Sequence, residues 1–309
     1  MESSTTSSEF DPFDLKPDIS ASSKKLYLYN LFKLNDKKPI KNLNFLSKKD
    51  LPERLADLKP NTRRTYLIAI VSCLKGRAGK FEKLYQKFYA TLMDLNKELK
   101  DNTEKTPKVK ENWIEQNQVS DQLEELKGIL PEISAKKKIT ADEYQRLLNL
   151  VVLSLYALQA PRRNKDYTDM MIVKKTPEDT DHNYLNISEW KWVFNNYKTQ
   201  KKYAQQVIDV PDDLKNVLEV YLRFHPQAKE IKKKTVSVPF LESYDGSPIA
   251  TSTEMTRMLN KIFGKKIGCS MLRAIFLTDK FGKSSQDLKD TTQSMGTSIE
   301  TAQTNYIKQ

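Results

Sequence analysis

Several residue types on which common functional sites depend are scarce in this sequence. Eight glycines occur in 309 residues, and no G-x-G-x-x-G or Walker pattern is present, which excludes the Gly-rich loops that cradle nucleotide phosphates. The two cysteines, Cys73 and Cys269, lie far apart in apolar helical contexts, so we expect reduced core residues of an intracellular protein. The two histidines, His182 and His225, lie in separate polar segments, and we therefore expect no metal site.

Long apolar runs are also missing. The longest, residues 147–160, is too short to cross a bilayer, so we expect no membrane partner. Residues 1–21 are rich in Ser, Thr, Asp and Glu and have no apolar core, which is unlike a secretion signal. Their composition predicts a disordered tail.

Positive charge, in contrast, is abundant. The chain has 52 Lys and Arg residues against 40 Asp and Glu residues, a formal net charge of +12. An excess of this size favours a polyanionic partner, and nucleic acid before membrane. The scarcity of glycine, together with apolar residues at helical spacing, predicts a mainly α protein with a small β-hairpin or sheet.

The order of these patterns predicts two domains joined by a linker. Residues 22–101 contain four amphipathic segments and predict a helical bundle, with basic residues such as Arg63 outside the apolar faces. Residues 102–119 are polar and include Pro107, which is typical of a linker. Residues 120–309 then form the second domain.

A strong helix signal opens the second domain. Thr140 and Glu143 form a capping box, and the helix that follows is apolar almost all round, so we expect it to be the buried central helix. Pro161 ends this helix, because the residue before a proline is disfavoured in the α conformation. Arg162 and Arg163 come directly afterwards.

A β-hairpin is predicted next along the chain. Trp190, Trp192 and Phe194 alternate with polar residues, and a second extended run begins at Val207. The turn between them, residues 197–202, is rich in lysine. Such a tip is either an ordinary solvated surface or a phosphate contact.

The C-terminal stretch combines an arginine and a tyrosine. Arg273 lies three residues after Ser270 on an apolar helical run, where a charge calls for an anion. Gly296-Thr297-Ser298 follows, and Tyr306 lies nine positions after Thr297. An arginine and a tyrosine that converge on a basic surface suggest a phosphate and a nucleophile.

This spacing resembles the end of the catalytic domain of the tyrosine recombinases, or phage-type integrases, including those of mobile elements and large DNA viruses. That family has His-x-x-Arg, then Gly-His-Ser, then a tyrosine nine residues after the second histidine. Both histidines are replaced here, by Ser270 and Thr297. The family's first arginine, just past a buried helix, is matched by Arg163, with Arg162 as the alternative. Its hairpin lysine is matched by Lys198.

The resemblance implies two sets of site residues. The catalytic set is Arg163, Lys198, Ser270, Arg273, Thr297 and Tyr306. The residues expected to contact DNA are Arg162, Lys201, Lys202, Arg63 and Arg64. Each basic residue also fits a solvated surface, Tyr306 fits an ordinary surface tyrosine, and Ser270 and Thr297 fit helix caps.

The resemblance also implies a function. Its members are site-specific recombinases or integrases that cleave and rejoin double-stranded DNA through a 3′-phosphotyrosine intermediate, as homo-tetramers without a cofactor. Residues 22–101 would be the core-binding domain and 120–309 the catalytic domain of a C-shaped clamp. The protein would be intracellular and associated with DNA in a nucleus, nucleoid or viral factory. The alternatives are a type IB-like topoisomerase, a catalytically impaired DNA-binding relative, and a helical adaptor without DNA affinity.

Overall fold

A computed structural model describes residues 10–101 and 105–294, together with Ile299. Contacts within the chain divide it into two compact units, Met1–Lys105 and Thr106–Gln309. The described residues are mainly helical, with a small mixed sheet in the second unit, as the sequence predicts. Among these residues, no helix combines the length and the apolar character that crossing a bilayer needs.

The first unit is built from α-helices, and a 3₁₀ turn at Asn44–Ser47 joins two of them. In the described part of the unit the helices are α1 (Ala21–Leu34), α2 (Leu51–Ala56), α3 (Pro60–Leu74) and α4 (Lys80–Asp101). Pro60 occupies the first turn of α3, where its missing N–H is not needed. The core gathers buried apolar side chains from every helix of the unit, and Leu67, Ile70 and Leu92 of α3 and α4 are almost fully buried in it.

The predicted disordered tail is wrong for residues 10–20. Phe13 is only 2% exposed and packs in the core of the first unit. Lys24 forms an ion pair with Asp11 at 2.5 Å, and Arg77 forms one with Asp14. One buried aromatic side chain and two ion pairs therefore attach a segment whose average composition is polar. Residues 1–9 lie outside the described residues.

The predicted linker, residues 102–119, is also wrong for its described part. Helices α5 (Pro107–Asn112) and α6 (Gln116–Lys127) occupy most of it. Ile114 and Val119 are buried in the core of the second unit. Asn112 accepts a hydrogen bond from the Lys266 backbone N–H at 2.9 Å. A few correctly placed apolar side chains are enough to attach this polar segment to the second unit.

The remaining elements of the second unit include the buried helix α8. They are α7 (Leu130–Ala135), α8 (Ala141–Ala157), α9 (Lys165–Thr168), β1 (Met170–Val173), β2 (Asn183–Asn186), β3 (Lys191–Phe194), α10 (Gln200–Tyr203), β4 (Gln206–Asp209), α11 (Asp212–Phe224), α12 (Ala228–Ile231), β5 (Ser237–Pro239), α13 (Ser252–Phe263) and α14 (Cys269–Ser294). The predicted capping box is confirmed, because the Thr140 side chain accepts from Glu143 N–H and the Glu143 side chain accepts from Thr140 N–H. Helix α8 is buried along most of its length.

The described strands form a mixed sheet in the order β4-β3-β2-β1-β5. Strands β1 and β2 are parallel, and the other neighbouring pairs are antiparallel. The predicted hairpin is confirmed as β3 and β4, with Phe194 opposite Gln206 and Lys191 opposite Asp209. The connection between these strands contains the short helix α10. Strand β4 lies at the edge of the sheet.

Candidate functional site

A pocket of about 290 Å³ lies in the second unit, where the segment after α8, the hairpin β3–β4 and helix α14 meet. Three guanidinium groups line it, those of Arg162, Arg163 and Arg273. Asp166 is the only carboxylate in the lining among the described residues. The pocket therefore has a surplus of positive charge, which suits an anionic ligand.

Arg162 is held by several other protein groups. Its Nε donates to Oδ2 of Asp166 at 3.0 Å, and its Nη1 donates to Oε1 of Gln206 at 2.8 Å. The guanidinium carbon lies 3.6 Å from the ring centroid of Phe194 and 5.1 Å from that of Tyr197. A planar, weakly hydrated guanidinium suits this stacked and hydrogen-bonded position. Arg162 therefore joins the loop after α8 to the hairpin, and two of its five N–H donors are used for this structural role.

The partner carboxylate of Arg162 is buried. The side chain of Asp166 is 3% exposed, and that of Arg162 is 18% exposed. Burial raises the pKa of Asp166, and the neighbouring Arg162 opposes that increase. The Oδ1 atom of Asp166 is buried without a hydrogen-bond partner among the described residues. Among the interactions that oppose the increase in the pKa of Asp166, the ion pair with Arg162 is the largest, and the charge of Arg163 adds to it.

Asn164 anchors the segment that carries both adjacent arginines. Its Oδ1 accepts a hydrogen bond from the Tyr156 hydroxyl at 2.7 Å. Its Nδ2 donates to the Ser252 carbonyl at 2.8 Å and to the Thr256 hydroxyl at 3.0 Å. These bonds tie the segment to α8 on one side and to the start of α13 on the other. The backbone that presents Arg163 is therefore held in place.

The floor of the pocket is held by a hydrogen-bonded glutamine. Gln159 accepts from the Trp192 indole at 3.0 Å and donates to the Tyr167 hydroxyl at 2.8 Å. Trp192 and Tyr167 are almost fully buried. The polar groups of Trp192 and Tyr167 thus find their hydrogen-bond partner in Gln159, which fixes this lining residue to the core.

Arg163 and Arg273 differ from Arg162 in their contacts with the described residues. Both are partly buried and line the pocket. Neither guanidinium has a hydrogen bond or an ion pair with any residue that the structure describes. On α14, the neighbouring Leu272 and Ile275 are 2% and 1% exposed and hold the helix against the core. A partly desolvated guanidinium without a partner is suited to bind an anion.

The predicted lysines of the hairpin do not line the pocket. Lys198 is exposed, and it lies between two residues of the lining, Tyr197 and Thr199. Lys201 and Lys202 are exposed on α10. These lysines are thus close to the pocket along the chain, but their side chains project into solvent.

Of the three remaining predicted catalytic residues, the structure describes only Ser270. Ser270 lies in the first turn of α14, is exposed and does not line the pocket. It is not the residue before the helix, because α14 already begins at Cys269. Thr297 and Tyr306 lie outside the described residues. The predicted nucleophile therefore depends on sequence spacing alone.

The two arginines predicted to contact DNA from the first domain lie in the first turns of α3. Arg64 donates to Asn96 of α4 at 2.5 Å and is exposed. Arg63 is partly buried, and its Nε has no hydrogen-bond partner among the described residues. They belong to the first unit, whereas the pocket belongs to the second.

Most of the lining was not predicted from the sequence, and Thr199, Tyr203 and Gln206 are examples. All three come from the hairpin connection or from the edge strand that follows it. The prediction named the lysines of the same segment instead, because they are its only basic residues. A pattern that could have indicated the others is the alternation that continues into β4, which places Gln206 opposite Phe194.

Comparison with known proteins identifies no relative of this chain. No protein-family model matches it, and neither a curated protein nor a solved structure matches it significantly. Among the described residues, no group of three or more His, Cys, Asp or Glu side chains is placed to hold a metal ion. The chemistry of the pocket itself is therefore the basis for a functional assignment.

Proposed function

We propose that this protein is a DNA strand transferase of the tyrosine-recombinase type, a site-specific recombinase or integrase that acts on double-stranded DNA. The observation that carries the proposal is the position of Arg163 and Arg273. These residues come from distant parts of the second unit, line the same pocket, and have no protein partner among the described residues. In their spacing, they match the two arginines of that family.

Two free guanidinium groups suit a backbone phosphate. Each presents a planar fork of N–H donors that fits two phosphate oxygens and stays charged at all relevant pH values. When the phosphorus becomes five-coordinate, its oxygens gain negative charge, and Arg163 and Arg273 would stabilise that charge. Arg162 would act differently, as the residue that positions Arg163 through its contacts with Asp166 and Phe194.

The proposed reaction is a phosphoryl transfer that conserves energy. The hydroxyl oxygen of Tyr306 attacks the phosphorus, and the bond from phosphorus to the 5′-oxygen breaks. Lys198 gives a proton to the departing 5′-oxygen, which leaves as a hydroxyl. The DNA then carries a 3′-phosphotyrosine link, and a second 5′-hydroxyl reverses the step. Arginine and lysine supply the charge stabilisation that metals supply in other phosphoryl transfers.

The proton on Tyr306 has no evident acceptor. A free tyrosine has a pKa of about 10, so it needs a base to react quickly at neutral pH. The family's histidines are replaced by Ser270 and Thr297, and neither hydroxyl is a base at that pH. Among the described residues, no histidine lines the pocket. We therefore expect a slow reaction in which water takes the proton.

The test is the trapping of a covalent complex. Labelled genomic fragments, and then nicked duplexes of any enriched sequence, are incubated with the full chain, because a nick lets the 5′-leaving strand escape after cleavage. We expect a denaturant-resistant adduct with wild type and none with Tyr306→Phe. We expect Arg163→Ala and Arg273→Ala to lower adduct formation by about 100- to 1,000-fold.

A matched arginine serves as the control. Arg257 lies on α13, is exposed and does not line the pocket, so Arg257→Ala should form the adduct at the wild-type rate. Binding that depends on salt without any adduct would instead indicate a catalytically impaired DNA-binding relative. Relaxation of supercoiled plasmid by a monomer, without site preference, would indicate a type IB-like topoisomerase. A tetramer that assembles only on DNA would support the recombinase.

A further inference from the structure

The pocket offers more than a phosphate group needs. A phosphate needs cations and hydrogen-bond donors, which Arg163, Arg273 and Thr199 supply. Beside these groups, the lining contains the Arg162–Asp166 ion pair, two glutamines, and aromatic and aliphatic side chains that include Tyr197, Tyr203 and Ile208. The volume of about 290 Å³ lies near the lower limit of small-molecule sites, which are usually apolar with a few placed polar groups.

Tyr203 is the most exposed aromatic residue of the lining. Its side chain keeps 52% of its surface accessible, and that of Ile208 keeps 41%. The Tyr203 hydroxyl has no hydrogen-bond partner among the described residues. The ammonium group of Lys202 lies over the ring, 5.0 Å from its centroid. An aromatic ring that keeps half of its surface exposed and has a cation over it is a surface on which a nucleic-acid base can stack.

The backbone that carries Tyr203 is constrained. The next residue, Ala204, has φ of +53° and ψ of −155°, a region that residues other than glycine rarely adopt. The Tyr197 hydroxyl donates to the Ala204 carbonyl at 2.7 Å and holds this conformation. Positive φ at a non-glycine residue has an energetic cost that the surrounding contacts must offset. The chain thus maintains a strained turn that places Tyr203 at the pocket.

We propose that the pocket binds a nucleotide whose base is unstacked from its neighbours, with Arg163 and Arg273 on the phosphate and Tyr203 and Ile208 against the base. This inference rests on the proposed function and names its substrate class: DNA with an unpaired nucleotide at the reacting phosphate. In a continuous duplex, both faces of each base are covered by adjacent bases. Only an unpaired base can reach the Tyr203 ring without disrupting base pairs, and it therefore binds more tightly.

The test compares three fluorescent DNA molecules of the same sequence: a continuous duplex, a duplex with a short unpaired bubble, and a single strand. Binding to the full chain is measured by fluorescence anisotropy at one salt concentration, because affinity depends strongly on salt. We expect the bubble to bind about 10-fold more tightly than the continuous duplex, a difference within the range for stacking of a base on an aromatic residue.

The variants isolate the stacking contact. Tyr203→Ala should abolish the roughly 10-fold preference for the bubble and leave duplex affinity unchanged, whereas Tyr203→Phe should keep the preference. Ile208→Ala should reduce the preference for the bubble over the duplex. Tyr244 is the matched control, because it is 55% exposed in the same unit and does not line the pocket. Tyr244→Ala should bind all three molecules as wild type does.

Other outcomes overturn this inference, the proposed function, or both. Equal binding of the bubble and the duplex by wild type would overturn the inference, and so would a preference that survives in Tyr203→Ala. A uniform loss for all three DNA molecules would show that Tyr203 only supports the hairpin. A covalent adduct with continuous duplex, without a preference for the bubble, would support the strand-transferase activity and contradict the binding of an unstacked base. A preference for the bubble without any adduct would contradict the proposed strand-transferase activity and support the proposed nucleotide-binding site. Absence of DNA binding would remove both.

Discussion

The Nε atom of Arg162 donates to Oδ2 of Asp166 across 3.0 Å, and the carboxylate that accepts this bond is almost fully buried. The adjacent Arg163 has no partner among the described residues and lines the same pocket. Two neighbouring arginines thus have different physical roles. Arg162 stabilises the fold, and Arg163 is available to a ligand.

This difference is testable by two single substitutions. Arg162→Ala leaves the Asp166 carboxylate buried without its cation, so we expect the free energy of unfolding to fall by about 3–5 kcal/mol. Arg163→Ala breaks no hydrogen bond or ion pair with the described residues, so the free energy of unfolding should fall by less than about 1 kcal/mol. All three tryptophans, Trp113, Trp190 and Trp192, lie in the second unit, so tryptophan fluorescence during urea unfolding reports on that unit. Equal effects of the two substitutions would contradict the division of roles.

Asn164 should be a structural residue of the pocket. Asn164→Ala removes three hydrogen bonds and leaves the buried Tyr156 hydroxyl without its acceptor. We expect a loss of about 2–4 kcal/mol in the free energy of unfolding, measured by the same fluorescence. Asn117 is exposed on α6, and Asn117→Ala should cost less than about 1 kcal/mol. A loss no larger than that of the control would mean that the segment is not held as described.

A buried histidine should make the second unit sensitive to acid. The side chain of His225 is fully buried, and burial lowers its pKa from 6.5 to about 4. Its Nδ1 accepts from the Gln227 backbone N–H at 3.1 Å, which also favours the neutral ring. The unfolded chain therefore binds a proton from about pH 6.5 downward, whereas the folded chain resists until about pH 4.

Stability should consequently fall as the pH drops from about 6.5 to about 4. A shift of this size corresponds to roughly 3 kcal/mol. Oε2 of Glu242 lies 3.9 Å from Nδ1 of His225. Burial raises the pKa of Glu242, so its contribution to stability falls as the pH rises above its unfolded pKa, which opposes the effect of His225. His225→Asn keeps a hydrogen-bond acceptor without titrating and should flatten the dependence in urea melts at several pH values. His182→Asn, at an exposed position, should not change it.

The N-terminal segment should contribute to the stability of the first unit. Phe13→Ala creates a cavity in the core, and we expect a loss of about 3–5 kcal/mol. Hydrogen exchange of peptides from α3 and α4 would detect this loss as faster exchange. Leu15 is 52% exposed, so Leu15→Ala should leave the exchange close to that of wild type. Unchanged exchange in Phe13→Ala would restore the prediction of a disordered tail for residues 10–20.

Local patterns predicted several elements correctly because their causes are local. The capping box of Thr140 and Glu143 needs only residues within one turn, and the buried helix that follows it is visible from its apolar composition. The hairpin was predictable from alternation around Trp192. The ordered structure of residues 10–20 was not predictable, because it depends on contacts of Phe13 and Asp14 with distant parts of the unit.

By itself, the sequence determined the mainly helical character, the excess of positive charge, the central helix and the positions of the arginines along the chain. Only the tertiary structure decided which of Arg162 and Arg163 is engaged. They follow Pro161 in a segment without periodicity, so nothing local distinguishes them. Arg162 is the engaged residue because it contacts Phe194 and Gln206 of the hairpin. Asp166 is buried, and its carboxylate therefore needs the ion pair with Arg162. Desolvation is a property of the packed unit, and for that reason no local pattern encodes it.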